Sequence, residues 1–390
     1  MSRWPTRRLG DLVDVLSGFA FESERFGDSG DLPIARIRDV VPGQSSTFYR
    51  GDYDEKYVVQ DGDVLIGMDG EFNRARWLGG RALLNQRVCR IASVSGDLDD
   101  AYLFHFLPEA LWAIERATPF VTVKHLSVKQ IRDIAIPLPP LPEQRRIAEV
   151  LDRAEALRAK RRAALVQLDT LALSLFLELF GDPAQNAKGW AVMSLGEIAR
   201  EKPNNEIFKK NPEYVQDGTG GLPVVWVEEL FQGSSIDTNK SRRLLPTIAE
   251  VSKYGLKNGD ILFCRSSLKL DGIAFNNVYL GQDNAALFEC HLIRVQPDLS
   301  IVSPIFLNCL LRLPQMRAIA KSKSKTATMT TIDQTALCSI PVVLPPLSIQ
   351  RNFARRFAAV EKLKTTHRAS LGELDAFFAS LQHRAFRGEL

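Results

Sequence analysis

Two stretches of this chain read as copies of one long helix, and they restrict its architecture more than any other feature. Adding 206 to a position in residues 136–183 leads, without a gap, to a similar residue near the C-terminus: Gln144 matches Gln350, and Leu168 matches Leu374. Each copy has apolar residues at three- and four-residue spacing for about nine turns, which is typical of an amphipathic helix with a coiled-coil seam. The sequence therefore predicts two long helices that pair.

The predicted seam of this helix pair is apolar except at one position, which is polar in both copies. A buried polar group costs stability but disfavours misaligned pairing, so Arg161 and His367 are predicted to set the register. In an antiparallel pair centred near them, the two side chains would be neighbours. The predicted seam residues are Ile147, Leu151, Arg161, Leu165 and Leu168 in the first copy, and Phe353, Phe357, His367, Leu371 and Leu374 in the second.

The blocks that precede the helices are copies as well. Leu9 matches Leu195 at an offset of 186, and residues 61–70 match residues 258–267 at an offset of 197. The growing offset places about 20 additional residues in loops of the second block, where insertions are tolerated. Two copies are too few for a solenoid, so the pattern favours pseudo-twofold symmetry.

Each block has the pattern of an α+β domain. Short runs rich in Val, Ile and Leu predict strands at 63–67, 87–92, 260–264 and 291–296. Helical patterns follow at 101–117 and 303–322. The predicted segments are a first domain at 1–142, a central spacer helix at 143–181, a second domain at 182–347 and a distal spacer helix at 348–390.

A proline cluster stands between each block and its helix. Proline fixes φ and disfavours helix in the residue before it, so IPLPPLPEQ (136–144) and IPVVLPPLSIQ (340–350) are predicted to be stiff extended hinges. Pro142 suits the first turn of the helix that follows. Written this way, the second hinge is two residues longer and has Ser348 and Ile349 in place of Pro142 and Glu143. A different angle between domain and helix is therefore expected there.

Composition leaves the partner of this chain open. With 390 residues, 45% of them hydrophobic, it can form two or three cores, but a net charge of +4 does not by itself indicate nucleic-acid binding. Five cysteines without a CxxC pair indicate reduced packing residues in a cytoplasmic compartment. The most apolar stretch, 171–180, is interrupted by Ser174 and Glu178, so no membrane crossing is expected.

The order of these segments, with the IPLPPLPEQ-type hinge and its helix present twice and the paired LGDL and GDVL segments, resembles the specificity subunit of type I restriction-modification systems. The likeness covers essentially the whole chain. It implies two target-recognition domains, each reading one half of a bipartite, asymmetric sequence in double-stranded DNA. The two long helices would pack antiparallel as a spacer between the domains.

The resemblance also implies partners. Two modification subunits, which carry S-adenosylmethionine, would dock on the helices. Restriction subunits would be further partners, with nuclease activity and with translocation driven by ATP with Mg. Whether such subunits are present is left open. The chain itself would have no catalytic residue, no cofactor and no metal, and would be cytoplasmic. The alternative is a coiled-coil scaffold without sequence-specific DNA binding; a self-sufficient methyltransferase is a third hypothesis.

The sequence contains no complete catalytic motif. The nearest match to a methyltransferase base-gripping loop is NPEY at 211–214, which has Glu213 where a second proline belongs, and no Walker lysine loop occurs. The acidic turns at 61–70 lack the ligand spacing of a calcium loop. Cys290 and His291 are predicted to point to opposite faces of a strand, which makes a nucleophilic site improbable.

Cationic and polar side chains on loops near strands are the candidates for DNA contact. They follow a predicted strand or precede a hinge, in matching places of the two blocks. A solvated surface is the competing interpretation, and individual base contacts are not assigned. For the basic run at 158–162, contact with DNA between the half-sites is one interpretation; a role as solvated flank of the seam or as a partner contact is favoured. The candidates are Arg36, Arg38, Arg74, Arg76 (beside Trp77), Lys124, His125, Arg265, Ser266, Lys269, Lys321, Lys323 and Lys325.

Overall fold

Short strands and one longer helix make up the first block. The computed structural model describes residues 3–118, 124–204, 214–215, 220–326 and 328–390. The strands are β1 (Thr6–Arg8), β2 (Val13–Ser17), β3 (Phe26–Gly27), β4 (Leu32–Ala35), β5 (Phe48–Tyr49), β6 (Val58–Val59), β7 (Val64–Gly67), β8 (Arg74–Arg76), β9 (Ala82–Leu84), β10 (Val88–Ser93) and β11 (Ala135–Pro137). The helices are α1 (Ile37–Val40), α2 (Asp100–Ala117), α3 (Val128–Asp133) and α4 (Leu141–Phe180).

In the described part of the first block, the strands form three sheets. Their orders are β1-β11, β2-β10-β7-β8 and β3-β5-β4-β9-β6. All pairs are antiparallel except β4 with β9. The apolar runs predicted as strands at 63–67 and 87–92 are β7 and β10, which pair directly with each other.

The second block repeats this plan with longer loops. Its strands are β12 (Ala191–Ser194), β13 (Tyr214–Val215), β14 (Leu222–Val225), β15 (Arg243–Leu244), β16 (Ile261–Cys264), β17 (Ser266–Ser267), β18 (Asn276–Val278), β19 (Leu287–Phe288), β20 (Leu292–Val295), β21 (Lys325–Thr326), β22 (Thr330–Thr331) and β23 (Pro341–Leu344). Its helices are α5 (Val227–Leu230), α6 (Ile248–Tyr254), α7 (Pro304–Arg312), α8 (Pro314–Ser322), α9 (Gln334–Cys338) and α10 (Leu347–Arg387).

Among the described residues, the second block has four sheets. Their orders are β12-β23, β13-β15-β14-β19, β18-β16-β20 and β17-β22-β21. The parallel pair β14 with β19 matches β4 with β9 of the first block. The helical pattern at 303–322 forms two helices instead of one, because Pro314 holds Leu313 in an extended conformation (φ −62°, ψ 145°). The prediction of one helical piece there was wrong in this respect.

The chain divides into two compact units, and each contains one half of both long helices. Unit 1 comprises Met1–Ala163 with Ala369–Leu390, and unit 2 comprises Ala164–Arg368. Within unit 1 the helix halves run antiparallel, since Arg146 contacts the carbonyl of Leu390 and Arg158 contacts Asp375. Within unit 2 they also run antiparallel, since Asp169 contacts Lys364 and the Phe176 ring meets that of Phe353 with centroids 5.4 Å apart.

A buried glutamine fixes the start of each long helix to its own domain. Gln144 is fully buried; its Nε2 donates to the carbonyls of Asp97 (2.7 Å) and Pro139 (2.8 Å), and its Oε1 accepts the N–H of Asp99 (2.9 Å). Because Asp99 caps α2, this side chain joins the hinge, α2 and α4.

Gln350 makes the same three kinds of contact in unit 2. Its Nε2 donates to the carbonyls of Pro345 (2.7 Å) and Ile301 (3.2 Å), and its Oε1 accepts the N–H of Ser303 (2.8 Å). The duplication in sequence is thus a duplication of one buried hydrogen-bonded junction.

The two hinges are equal in length, which corrects the expectation of a longer second hinge. The N–H of Leu9 donates to the carbonyl of Ile134, and the N–H of Leu195 donates to that of Ile340, so Ile134 and Ile340 are equivalent. From these residues to Gln144 and Gln350 the spacing is the same. Pro142 lies in the first turn of α4, as predicted.

Among the described helices, α4 alone is long and apolar enough to cross a membrane by length and composition. Its apolar side chains have another use in unit 2, where Phe176 and Phe180 are buried against Phe306 and Phe353. Asp169, two residues before the stretch 171–180, forms an ion pair with Lys364. Part of the apolar surface of α4 thus packs within unit 2.

Candidate nucleic-acid interface

In unit 2 the structure brings together two of the segments predicted to contact DNA. The segment after β16 and the segment before the second hinge pair as β17 and β22, with Ser266 opposite Thr331. The carbonyl of Arg265 also accepts the N–H of Ile332 at 3.0 Å. The two segments are about 65 residues apart in sequence. Backbone hydrogen bonds of an antiparallel strand pair bring them together, and such bonds require no particular side chain.

A cavity of about 610 Å³ opens where these segments meet. Arg265, Ser266, Lys323 and Lys325, all predicted, line it together with His291, which was not predicted. Ser266 Oγ lies 2.6 Å from His291 Nδ1. Three cationic side chains and several hydroxyls around one opening suit phosphate oxygens and base edges.

The other two predicted residues of unit 2 lie beside this cavity. Lys321 forms an ion pair with Asp271, and this contact lowers the pKa of the Asp271 carboxyl. Lys269 is exposed and precedes the 3-10 turn Leu270–Gly272. The side chain of Lys321 is therefore held by Asp271 of the same chain. The side chain of Lys325, 3.9 Å from Asp333, is largely exposed.

Unit 1 contains the same junction. The N–H of Leu126 donates to the carbonyl of Met68 at 2.7 Å, and the N–H of Gly70 donates to that of Lys124 at 2.9 Å. Asp69 and His125 form an isolated bridge at the place of Ser266 and Thr331. Residues 119–123 of the pre-hinge segment lie outside the described residues.

Two basic side chains contact Asp69 in this junction. Its carboxylate lies 2.7 Å from His125 Nδ1 and 3.1 Å from a guanidinium nitrogen of Arg87. Lys124 contacts Glu115 at 3.5 Å. Arg87 was not predicted from the sequence. Its carbonyl accepts the N–H of Met68, and the carbonyl of His291 accepts the N–H of Arg265 in the same way.

The signal for Arg87 and His291 was present in the sequence. Each is the residue directly before a strand, β10 or β20, and the two match at an offset of 204. Only the pairing of distant strands brings them beside the pre-hinge segment, so strand assignment alone did not reveal them.

Arg74 and Arg76 lie on a strand, β8, and not on a loop. Both guanidinium groups lie over the ring of Phe104, at 3.6 Å and 4.5 Å from its centroid. Burial lowers the pKa of Arg74 to about 10, and its Nε donates to the carbonyl of Phe104. Trp77, expected beside them at the surface, is buried in the core.

Arg36 and Arg38 flank the start of α1. The Arg36 guanidinium lies 3.5 Å from Asp39 and donates to Thr47 Oγ1, so it is held by partners within the domain. Arg38 is exposed and lies 3.5 Å from the same hydroxyl. Of the two, Arg38 is the one whose side chain is available to a ligand.

Cys290 and His291 lie in a turn before β20 and both line the cavity, so the prediction that they occupy opposite faces of a strand was wrong. Together with Glu289 they form a group whose potential ligand atoms lie within 4.8 Å of one another. Burial raises the pKa of Glu289, and its Oε2 accepts the N–H of His291 at 2.9 Å. This carboxyl therefore stabilises the turn. Asn211 to Glu213 of the NPEY motif lie outside the described residues.

The helix seam is apolar at its ends and carries charge toward its middle. Ile147, Leu151 and Phe353 are buried. Arg158 and Lys364, 206 positions apart, lie in the seam with 17% and 9% of their side chains exposed. Arg158 therefore pairs across the helices and is not a solvated flank residue. The remaining predicted seam residues are partly buried: Arg161, Leu165, Leu168, Phe357, His367, Leu371 and Leu374.

Two α+β domains with matching cationic junctions, each fixed to one half of a long helix pair, define a duplicated DNA-specificity protein. A family model described as "Type I restriction modification DNA specificity domain" matches residues 1–167 and 187–375. The chain belongs to this family of type I restriction-modification specificity subunits. Its fold class, predicted from the duplication, is confirmed.

Individual relatives agree with this assignment. The chain is 30% identical over 415 residues to the type I restriction enzyme EcoBI specificity subunit of Escherichia coli, covering 99% of this chain and 86% of that one. It is 26% identical to the EcoKI specificity subunit of E. coli K12, over 99% and 89% of the two chains. The crystal structure of the S subunit from M. genitalium shares the fold, with a TM-score of 0.59 at 15% identity over 99% and 96% of the chains.

Proposed function

We propose that each unit of this specificity subunit reads one half of a bipartite, asymmetric sequence in double-stranded DNA. The observation that carries the proposal is the repeated junction of three segments, which together present basic side chains. These are the segment after β7 or β16, the turn before β10 or β20, and the segment before the hinge. Because the loops around the two junctions differ in length and sequence, the two half-sites should differ. Contacts to phosphates would orient each domain, and side chains such as Ser266 and Arg87 would face base edges.

The chain acts without catalysis of its own in this proposal. Methyl transfer with S-adenosylmethionine belongs to modification subunits, and any cleavage driven by ATP with Mg belongs to restriction subunits. Ser266 Oγ contacts His291 Nδ1, but the neighbouring carboxylate of Glu289 accepts the backbone N–H of His291 and not a ring N–H, which supports a binding role over a nucleophilic one. The complex would act in the cytoplasm, where its DNA is.

Two modification subunits would dock on the long helices through a surface that occurs once in each unit. Leu157 and Phe377 are exposed in unit 1, and the residues at their equivalent positions, Leu363 and Leu171, are exposed in unit 2. Exposed Leu and Phe on a helix pair indicate a surface that packs against protein. A patch present twice matches two copies of one partner.

Selection from randomised duplexes by the purified complex tests the proposal. Enrichment of a bipartite motif with a fixed gap is expected, and methylation mapping in the source cell should report the same motif. Recovery of duplexes without a common motif would favour a scaffold that lacks sequence-specific binding. Tight binding of S-adenosylmethionine by this chain without partners would contradict the division of labour.

A further inference from the structure

Unit 2 presents an unusual pair of exposed apolar side chains beside its cationic cavity. Leu268, two residues after Ser266, is 82% exposed, and Met329, at the turn between β21 and β22, is 37% exposed. Ser267 pairs with Thr330, so Leu268, which follows Ser267, and Met329, which precedes Thr330, lie at the same end of this strand pair. The three-stranded sheet β17-β22-β21 thus has an apolar tip.

The rest of this small sheet is polar and cationic. Its strands carry Ser266, Ser267, Thr330 and Thr331, and Lys325 opens β21. Such a surface matches a phosphate backbone in charge and in hydrogen-bonding capacity. An apolar tip beside a phosphate-binding surface suits DNA better than it suits a protein partner, because the charged surface lies on the same strands.

The loop that carries Leu268 is held in place. Ser267 Oγ accepts the N–H of Lys269 at 3.2 Å and donates to the carbonyl of Lys269 at 2.7 Å. Farther along, Arg317 donates to the carbonyls of Asp271 and Ile273 at 2.8 and 2.7 Å. The exposed leucine is therefore presented on a backbone that is already ordered, which lowers the entropic cost of inserting it into a ligand.

We propose that Leu268, supported by Met329, is a wedge that inserts between two base pairs of the half-site read by the second domain and bends the duplex there. Leu and Met are among the side chains that separate stacked base pairs. The unstacking energy depends on the step, so the wedge also reads sequence through deformability and favours a pyrimidine–purine step. The first domain has Glu71 at the equivalent position and lacks this feature.

The wedge assignment rests on the proposed function, and one experiment separates the two. The full chain, assembled with its modification subunits, is bound to a duplex that contains the mapped target, and permanganate reports unstacked thymines. A methyltransferase that flips its adenine exposes the opposite thymine as well. That signal serves as an internal reference, since it should persist in every variant that binds.

Leu268→Ala should abolish the permanganate signal at one step in the second half-site and weaken binding roughly tenfold, because burial of the leucine against bases is lost. Leu268→Met should retain the signal. Leu245→Ala removes a leucine that is 72% exposed directly after β15 of the same unit and should change neither quantity.

Unchanged reactivity and affinity in Leu268→Ala would overturn the wedge and leave the proposed function intact. Loss of modification subunits from this variant, with DNA binding preserved, would instead make the tip a protein contact and would also overturn it. A wild-type complex that selects no motif would refute the proposed function itself.

Discussion

Arg158 Nε donates a hydrogen bond to Asp375 Oδ1 at 2.6 Å, across the helix pair of unit 1. Unit 2 contains the equivalent contact, in which Lys364 Nζ lies 2.7 Å from Asp169 Oδ1. Each cation also contacts a glutamate three residues earlier on its own helix, Glu155 or Glu361. All three members of the cluster recur at an offset of 206, so the duplication preserved an ion-pair cluster whose side chains fix the helix register.

Removing the aspartate of either cluster should destabilise the helix pair. Asp375→Ala leaves the partly buried Arg158 without its cross-helix partner, and we expect a loss of about 1–2 kcal/mol in the free energy of unfolding. Asp169→Ala should act alike in unit 2. Urea unfolding measures both, and exchanging the charges (Arg158→Asp with Asp375→Arg) should restore part of the loss. A neutral result for both alanine variants would show that the clusters do not contribute to stability.

Gln144→Ala should destabilise the hinge strongly. The change deletes three hydrogen bonds and leaves the buried N–H of Asp99 without its acceptor, for an expected cost of about 2–3 kcal/mol. Gln167→Ala, an exposed glutamine on the same helix, is the matched control and should be neutral. Thermal unfolding of the full chain compares the two, and equal melting temperatures would refute the role of the buried junction.

Stability of unit 1 should fall as the pH falls below about 6.5, the ordinary histidine value. Burial lowers the pKa of His105, although its hydrogen bond to Asp152 opposes this and Arg74 and Arg76 reinforce it. Because the pKa of His105 is lower in the folded than in the unfolded chain, the unfolded chain binds the proton first as the pH falls. The contribution of neutral His105 to stability is therefore fully present above pH 6.5 and is lost as the pH falls toward the folded-state pKa. Unfolding at pH 7.5 and 5.5 should show a smaller pH effect in His105→Leu than in the wild type.

Phosphate contacts at the unit 2 cavity should appear in the salt dependence of DNA binding. Arg265→Ala and Lys325→Ala should each lower the affinity for all duplexes and reduce the slope of log K against log salt by about 0.9, as for one lost phosphate contact. Lys240→Ala, an exposed lysine elsewhere in the unit, should leave the slope unchanged. Fluorescence anisotropy over a salt series provides the slopes. Identical slopes in all four proteins would exclude this cavity as a phosphate site.

Each exposed helix patch should hold one modification subunit. Leu157→Asp with Phe377→Asp should remove one copy from the complex, because burying a carboxylate without a partner at the interface is costly. Leu363→Asp with Leu171→Asp should remove the other copy, and all four changes together should remove both. Native mass spectrometry counts the subunits. Retention of two copies by the fourfold variant would place the docking surface elsewhere.

The sequence alone determined the repeated architecture of this protein. Helix periodicity, proline hinges and short apolar strands are local signals, and their recurrence at related offsets identified the helices, the two α+β blocks and the family resemblance. Gln144 and Gln350 were aligned correctly from the sequence, although their buried hydrogen bonds were not foreseen.

Only the tertiary structure decided which side chains face one another. Arg161 and His367, predicted as polar seam residues, are partly buried, and Arg158 and Lys364, three residues earlier on the same helix faces, also lie in the seam. Helix periodicity identifies the face, but only the packing of the helices decides which of its charges meet the cross-helix aspartates. Similarly, Arg87 and His291 join the cationic junctions through pairing between distant strands, which no local pattern encodes. The adjacency of Arg161 and His367 stays a prediction.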